Sequence, residues 1–381
     1  MKEPSMEKTK AGERGILHPE KPHEEDSRDT ALRPKNLAEF MGQKAMKENL
    51  SIFIEAAKER GESLDHLFLI GPPGLGKTTL AQVVAHELQA DFKVTSAPAL
   101  EKPKDLAGLL TTLTEKTVFF IDEIHRLKPA IEEMLYIAME DYELDWIIGQ
   151  GPSARSIRIP IQPFTLVGAT TKAGNVSSPL ISRFGITCRF SFYEDEDMQA
   201  IVMRSAGILN VSIASDAAAL LARCARGTPR VVNRLLRRVR DFAQILSAAK
   251  PGAGRGAPCG GMPGGGKPGG ESTGPLVTKE IVEESLARLE IDRLGLEKYD
   301  REILAMIITR YGGGPVGAET LAISIGESVD TLEDYYEPYL IQAGLIQRTP
   351  RGRMVTSLAY DFLKMRRREE SGGLFFEAPP D

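Results

Sequence analysis

The segment Gly71-Pro-Pro-Gly-Leu-Gly-Lys-Thr78 has the G-x-x-x-x-G-K-[ST] spacing of a phosphate-binding loop. Glycines at these points let backbone N–H groups converge on phosphate oxygens, and the dipole of a following helix favours the same anion. Lys77 then supplies a cation for the β- and γ-phosphates, and the Thr78 hydroxyl a ligand for Mg2+. Further along, Val118-Phe-Phe-Ile-Asp122-Glu123 sets two carboxylates behind four apolar residues. A buried strand ending in acids delivers them where an α/β sheet keeps its chemistry. Asp122 suits the magnesium shell, and Glu123 the polarisation of an attacking water. FTLVGATTKAG, 164–174, reads as another strand ending in hydroxyls, of which Thr170 or Thr171 can position that water or sense the γ-phosphate. Two arginines follow where an extra cation assists phosphoryl transfer. Arg183 stands in a loop after that strand and can complete a neighbouring subunit's site. Arg230 opens an arginine-rich helix, with Pro229 at its start.

These residues need elements to hold them. From about Arg33 to Ser191, short β-rich runs (67–70, 92–95, 118–121, 164–169) are separated by longer helical segments, such as 52–61 with Gly61 as a stop. Strand-then-helix alternation predicts a parallel sheet covered by helices. After about Glu194 the β signal fades, and helical spacing predicts a small all-helical lid. Residues 251–275 hold eleven glycines and five prolines, which predicts a flexible insertion inside that lid. From about Leu296, helices precede two β-prone stretches around the turn-rich Thr349–Gly352, the pattern of a winged helix. The expected division is a disordered tail at 1–30, an ATPase-like domain at 31–193, the lid at 194–295, the winged-helix head at 296–369 and a flexible tail at 370–381.

Composition narrows the function classes. The 381 residues are 42% hydrophobic and 27% charged, ordinary for a globular chain of two or three domains. No apolar run is long enough to span a membrane, and the N-terminal region lacks a secretory h-region. The three cysteines, Cys188, Cys224 and Cys259, are far apart, which excludes a disulfide framework and fits a cytoplasmic location. The net charge of −5 hides a strong sorting: Arg223 to Arg240 contains seven arginines and no acid, and Arg348 to Arg368 contains six. Such sorting predicts local anion-binding surfaces.

The order of phosphate loop, Asp-Glu strand, hydroxyl strand end, loop arginine and lid arginine resembles the AAA+ ATPases. LDHLFLIGPPGLGKTTLA, FFIDEIHRL, AMEDYELD, GPSARSI, SPLISRFGI, RGTPRVVNRLLRRVRDFA, YGGGPVGAETLA and EPYLIQAGLIQRTPRGRM bring it closer, to the RuvB family, the bacterial motors of Holliday-junction branch migration. The resemblance covers about residues 30–365. It implies that Gly74, Lys77, Thr78 and Thr79 hold ATP and Mg2+, with Leu32, Arg33 and Tyr193 also against nucleotide. It places Glu140, Asp141 and Tyr142 near nucleotide, makes Arg183 a finger acting in trans, and makes Arg230 a second sensor. Arg348, Arg351 and Arg353 become the wing that grips duplex DNA at four-way junctions. The 144–161 hairpin, with an exposed Trp146-Ile147-Ile148 tip, becomes the dock for RuvA. A homo-hexamer follows, with the resolvase RuvC as a possible further partner.

Two departures from the family pattern stand out: Ile181-Ser182, where a charged pair is usual, and the length of 251–275. A clamp-loader-like switch is the nearest rival, and the basic RTPRGRM segment speaks against it. A protein unfoldase would need an aromatic pore loop, whereas SAPALEKPKDLAG has no aromatic residue.

Overall fold

The computed structural model describes residues 31–148, 155–249 and 276–365. The expectations for 1–30, 251–275, 370–381 and Cys259 lie outside these. Two units divide the chain, Met1–Arg33 and Pro34–Asp381, and the fold that follows is that of the second.

Four runs of apolar and β-branched residues become parallel strands, three of them covered on both faces and the one at 92–96 half-exposed at the sheet edge. They are β1 (Leu67–Ile70), β2 (Phe92–Ser96), β3 (Val118–Asp122) and β6 (Thr165–Thr170), joined by β7 (Ile186–Arg189). The sheet order is β2-β3-β6-β1-β7, and every pairing in it is parallel. Period-2 alternation sends the side chains of β1, β3 and β6 into two cores. Leu67, Leu69, Val118, Phe120, Val167 and Ala169 enter one core, and Phe68, Phe119, Ile121 and Leu166 the other. The helices between strands are α1 (Lys44–Arg60), α2 (Lys77–Glu87), α3 (Pro103–Leu110), α4 (Pro129–Glu140) and the short α5 (Ser178–Ile181). Gly61 ends α1 at φ 71°, as its position suggests. Between α4 and β6 stands an antiparallel hairpin, β4 (Glu143–Ile148) with β5 (Arg155–Pro160).

The first core does not stop at the sheet. It runs on through Met198, Val202, Leu221, Val232 and Leu236 of α6 (Asp195–Ile208), α7 (Ser215–Cys224) and α8 (Pro229–Ala249). Lid and sheet therefore share one apolar interior. The lid is helical apart from a two-residue parallel pairing, β8 (Ser212–Ile213) with β9 (Leu276–Val277). That pairing returns the chain to the lid after residue 275, and α9 (Lys279–Arg288) packs on α7 and α8.

The head has its own core, including Leu296, Ile303, Leu321, Leu340 and Val355. Its elements are α10 (Lys298–Tyr311), α11 (Ala318–Ile325), a helical turn at Val329–Thr331, a π-helical turn at Leu332–Tyr336, α12 (Glu337–Gln342), β10 (Ile346–Thr349), β11 (Gly352–Val355) and α13 (Ser357–Leu363). Strands β10 and β11 pair antiparallel, with Arg348 opposite Arg353. This is a winged helix. Head and lid are riveted by Arg226, whose guanidinium donates to Asp300 Oδ2 at 2.6 Å and to the Gly295 carbonyl at 2.7 Å, with both side chains buried. Among the described residues, no helix is long and apolar enough to cross a membrane.

Candidate nucleotide and DNA sites

The loop between β1 and α2 begins at Gly71, whose N–H donates to the Thr170 carbonyl at 3.2 Å and so ties it to the end of β6. Gly76 caps α2 at φ 101°, a conformation closed to most side chains. Gly74 is needed for space as well: a Cβ there would lie 2.8 Å from Thr228 Cγ2 of the lid. The loop thus presents bare backbone at the N-terminus of an eleven-residue helix. Lys77 is buried, and its ammonium donates to the carbonyls of Gly71 at 2.7 Å and Pro72 at 2.9 Å. Burial lowers its pKa to about 8, with Arg230 adding to the fall and Asp122 opposing it. A buried ammonium whose hydrogen bonds go to two carbonyls, with Asp122 acting on it only through its charge, fits an anionic ligand, so the cradle suits a nucleotide phosphate. Thr78 and Thr79 follow it in α2.

Asp122 closes β3, and its Oδ1 accepts the Glu123 N–H at 3.0 Å. Glu123 itself sits at φ 50°, rare for a residue with a side chain, and its carboxylate pairs with Arg126 at 3.0 Å. The two strand-end hydroxyls differ. Thr170 is buried, and its Oγ1 meets His125 Nδ1 at 3.0 Å while accepting the Lys172 N–H at 3.0 Å. Thr171 is half-buried and has no hydrogen-bonding partner among the described residues. From the lid, the Arg230 N–H donates to the Gly74 carbonyl at 3.3 Å, and its exposed side chain is near enough for its charge to act on Lys77. Tyr193 is buried with its hydroxyl donating to the Leu75 carbonyl at 3.1 Å, and burial pushes its pKa up. Leu32 and Arg33 belong to the N-terminal unit.

A second cluster forms at Arg183. Its guanidinium stacks over the Tyr136 ring at 4.6 Å, donates to the Pro179 carbonyl at 2.8 Å, and approaches Glu140 Oε1 at 3.1 Å without hydrogen-bond geometry at Nε. Tyr136 is itself fixed by Glu132 and Ser177. Ser182 turns back to the Pro179 carbonyl. Among the described residues, Glu140, Asp141 and Tyr142 make no hydrogen bond to the phosphate loop. Glu140 joins Arg183, and Tyr142 packs edge-on against Phe164. Of the expected nucleotide residues in this unit, Gly74, Lys77, Tyr193 and Arg230 gather at the loop, while Glu140 alone of 140–142 joins Arg183.

The wing arginines also divide. Glu337 is fully buried and accepts Arg348 Nε at 2.7 Å and Arg353 Nε at 2.6 Å, while Arg353 also reaches Glu333 at 2.5 Å. Only 12% of the Arg353 side chain is exposed, against 49% for Arg348. Arg353 is thus held inside the wing by two carboxylates and does not stand out as a grip. Arg351, in the turn between the strands, is exposed without a described partner. In the hairpin, Trp146 is half-buried against the second core, which corrects the expectation of an exposed tip at that residue. The register places it opposite Ile157, which is exposed. The side chains of Ile147 and Ile148 lie outside the described residues. Cys188 and Cys224 are buried thiols whose pKa burial raises to about 11, so they act as small hydrophobes.

His125, Arg126, Tyr136 and Lys172 join these sites through contacts that no local sequence pattern marks.

Comparison with known proteins follows the same three-part division. Residues 32–190 match the Holliday junction DNA helicase RuvB P-loop domain, 193–250 the RuvB AAA lid domain, and 293–364 the RuvB C-terminal winged helix domain. The chain is 67% identical over 338 residues to the Holliday junction branch migration complex subunit RuvB of Treponema denticola, covering 89% of this chain and 91% of that one. The corresponding Treponema pallidum protein is 61% identical, with 89% of each chain covered. Among solved structures, the Thermotoga maritima RuvB Holliday junction branch migration motor superposes with a TM-score of 0.76 at 46% identity, over 88% of this chain and 99% of that one.

Proposed function

The chain belongs to the RuvB family, and we propose that it is an ATP-hydrolysing motor that drives duplex DNA through Holliday junctions during branch migration. The observation that carries this reading is the meeting of phosphate loop and lid. Arg230 bonds through its backbone to Gly74 while its charge bears on Lys77. Any change of charge at the phosphates is thereby felt by α8, and through the Arg226–Asp300 rivet by the head.

Gly74, Lys77, Thr78 and Thr79 hold the phosphates in this reading, with Leu32, Arg33 and Tyr193 on the nucleoside side. Mg2+ bound with ATP would neutralise the phosphate oxygens, and Thr78 and Asp122 would hold it. Glu123 accepts a proton from the attacking water. Of the two strand-end hydroxyls, that of Thr170 is committed to His125 and Lys172, so the phosphate-facing role falls to Thr171. Arg183, with Glu140 beside it, serves the neighbouring subunit's nucleotide together with Asp141 and Tyr142, which requires a ring, here a hexamer. Arg351 and Arg348 meet DNA phosphates, the 144–161 hairpin docks RuvA, and RuvC acts on the same junctions. A cytoplasmic location goes with this role.

The test is ATP-driven strand exchange on a synthetic four-way junction, with and without RuvA. Glu123→Gln should bind ATP, fail to turn it over and fail to move the junction. Hydrolysis at the wild-type rate by Glu123→Gln refutes the assignment of the water-polarising carboxylate. Hydrolysis without junction movement in the wild type with RuvA refutes the motor.

A further inference from the structure

One ionic contact between the sheet and the head has no part in the roles above. Lys172 follows directly on Thr170 and Thr171. Its N–H is held by Thr170 Oγ1, so its backbone belongs to the strand end. Its ammonium goes elsewhere, to Asp330 Oδ1 at 3.2 Å and Asp334 Oδ2 at 3.0 Å. Asp330 stands in the Val329–Thr331 turn of the head and Asp334 in the π-helical turn that continues it.

The same stretch has a second face. Glu333, beside Asp334, accepts Arg353 of β11, and Glu337, one turn on, accepts both Arg348 and Arg353. Eight residues therefore present acids in two directions, 330 and 334 to the strand end, 333 and 337 to the wing. A π-helical turn is a recurrent sign of function, because it spends helical hydrogen bonding on an altered side-chain direction. The two attachments of the head also differ in kind. The Arg226–Asp300 pair to the lid is buried at both ends. The pair to the strand end is open to water, with 84% of the Asp330 side chain and 40% of Asp334 exposed. An exposed pair contributes little and exchanges readily, whereas breaking a buried one is costly. The head is thus fixed at the lid and releasable at the strand end.

The geometry points to residues 330–337 as a relay between the DNA-gripping wing and the phosphate-facing strand end, with Lys172 as the positioning residue that receives it. This rests on the reading of the wing as the DNA grip and of Thr171 as the phosphate-facing hydroxyl. DNA on the wing shifts Glu333 and Glu337, the turn carries Asp330 and Asp334 with it, and Lys172 moves the backbone next to Thr171. Coupling through this contact acts on the turnover of bound ATP, so it shows in the maximal stimulation by DNA and not in DNA affinity.

The experiment measures ATP turnover of the full-length chain with and without duplex DNA, and DNA affinity in parallel. Asp330→Asn with Asp334→Asn should keep the DNA-free rate and the KM for ATP. The maximal stimulation by DNA should fall about two- to fivefold, the range an exposed ion pair can deliver, while half-saturating DNA stays within about twofold on the same scale. Lys172→Asp should lose stimulation to the same degree, and adding Asp334→Lys should recover most of it. Melting curves establish that the variants are folded. Wild-type stimulation in the double Asn variant, or no recovery in the charge-reversed pair, overturns the relay. If the wild type itself neither binds DNA nor responds to it, the motor reading fails, and the relay with it.

Discussion

Two cations of this molecule were assigned the same task, to grip phosphate, and the structure treats them oppositely. Lys77 is buried and, among the described residues, bonded to no acid; its hydrogen bonds go to the carbonyls of Gly71 and Pro72, and Asp122 acts on it only through its charge. Arg353 is held by Glu337 and Glu333. The first has charge left over for a ligand; in the second, charge is largely spent on the fold. A motif specifies that a cation is present, and only the carboxylates brought near by folding decide whether it is available. Arg183 lies between these cases, stacked on Tyr136 and close to Glu140 but without a completed hydrogen bond at Nε.

The intermediate case has the largest expected effect. Arg183→Ala should bind nucleotide almost normally and hydrolyse it poorly, with a loss inside the roughly 10³–10⁵ range of arginine fingers. Mixing it with Lys77→Ala subunits should restore part of the ATPase rate, because some interfaces then pair an intact loop with an intact arginine from the other parent. A rate that stays at the sum of the two parents at every mixing ratio would place Arg183 in its own subunit's site and break the ring argument.

Next is the spent cation. Arg353→Ala leaves Glu337 buried with only the half-exposed Arg348. Leaving a buried charge wholly unpaired costs about 3–5 kcal/mol; with Arg348 still bonded to Glu337 the loss should be a fraction of that, still visible as a fall in the thermal midpoint of the head. An unchanged midpoint together with weakened DNA binding would return Arg353 to the grip.

Lys77 should do the reverse. Its pKa is lowered from 10.5 to about 8, so between those values the unfolded chain binds more protons than the folded one, and stability rises with pH. Below about pH 8 the buried charge costs roughly 3 kcal/mol, at about 1.4 kcal/mol per pH unit. Lys77→Met should therefore lose ATP binding yet raise the nucleotide-free thermal midpoint at pH 7, with the gain shrinking toward pH 10.5. A variant less stable than wild type at pH 7 would mean that the carbonyl bonds outweigh the desolvation.

What the sequence shows of this molecule follows the range of the forces involved. Strands β1, β3 and β6 are legible because a strand buried on both faces must be apolar at every position, and the loop is legible because only glycine fits its backbone. Strand β7 escapes, being four residues at the sheet edge with alternate side chains exposed. The pairing of β8 with β9 escapes because two residues carry no period. The contacts that divide the cations, Lys172 with Asp330 and Arg226 with Asp300, join residues far apart in the chain, and no local pattern encodes them. Glu337 is the clearest instance: inside EPYLIQ it reads as an ordinary helix-start acid, and folding makes it the buried anchor of two arginines.

The smallest effect tests the exposed end of the comparison. Arg351 is the wing arginine with no acid bonded to it among the described residues, so it should behave toward DNA as Lys77 does toward ATP. Arg351→Ala removes about one phosphate contact, which should lower the magnitude of the log K against log salt slope by roughly 0.9 and weaken binding equally across unrelated sequences. The fold should be untouched, because the side chain makes no described contact. Arg348→Ala should show a smaller slope change with some loss of stability, since its charge is shared with Glu337. If both variants change the slope equally, the carboxylate does not compete with DNA for Arg348, and spent charge is not what separates the wing from the loop.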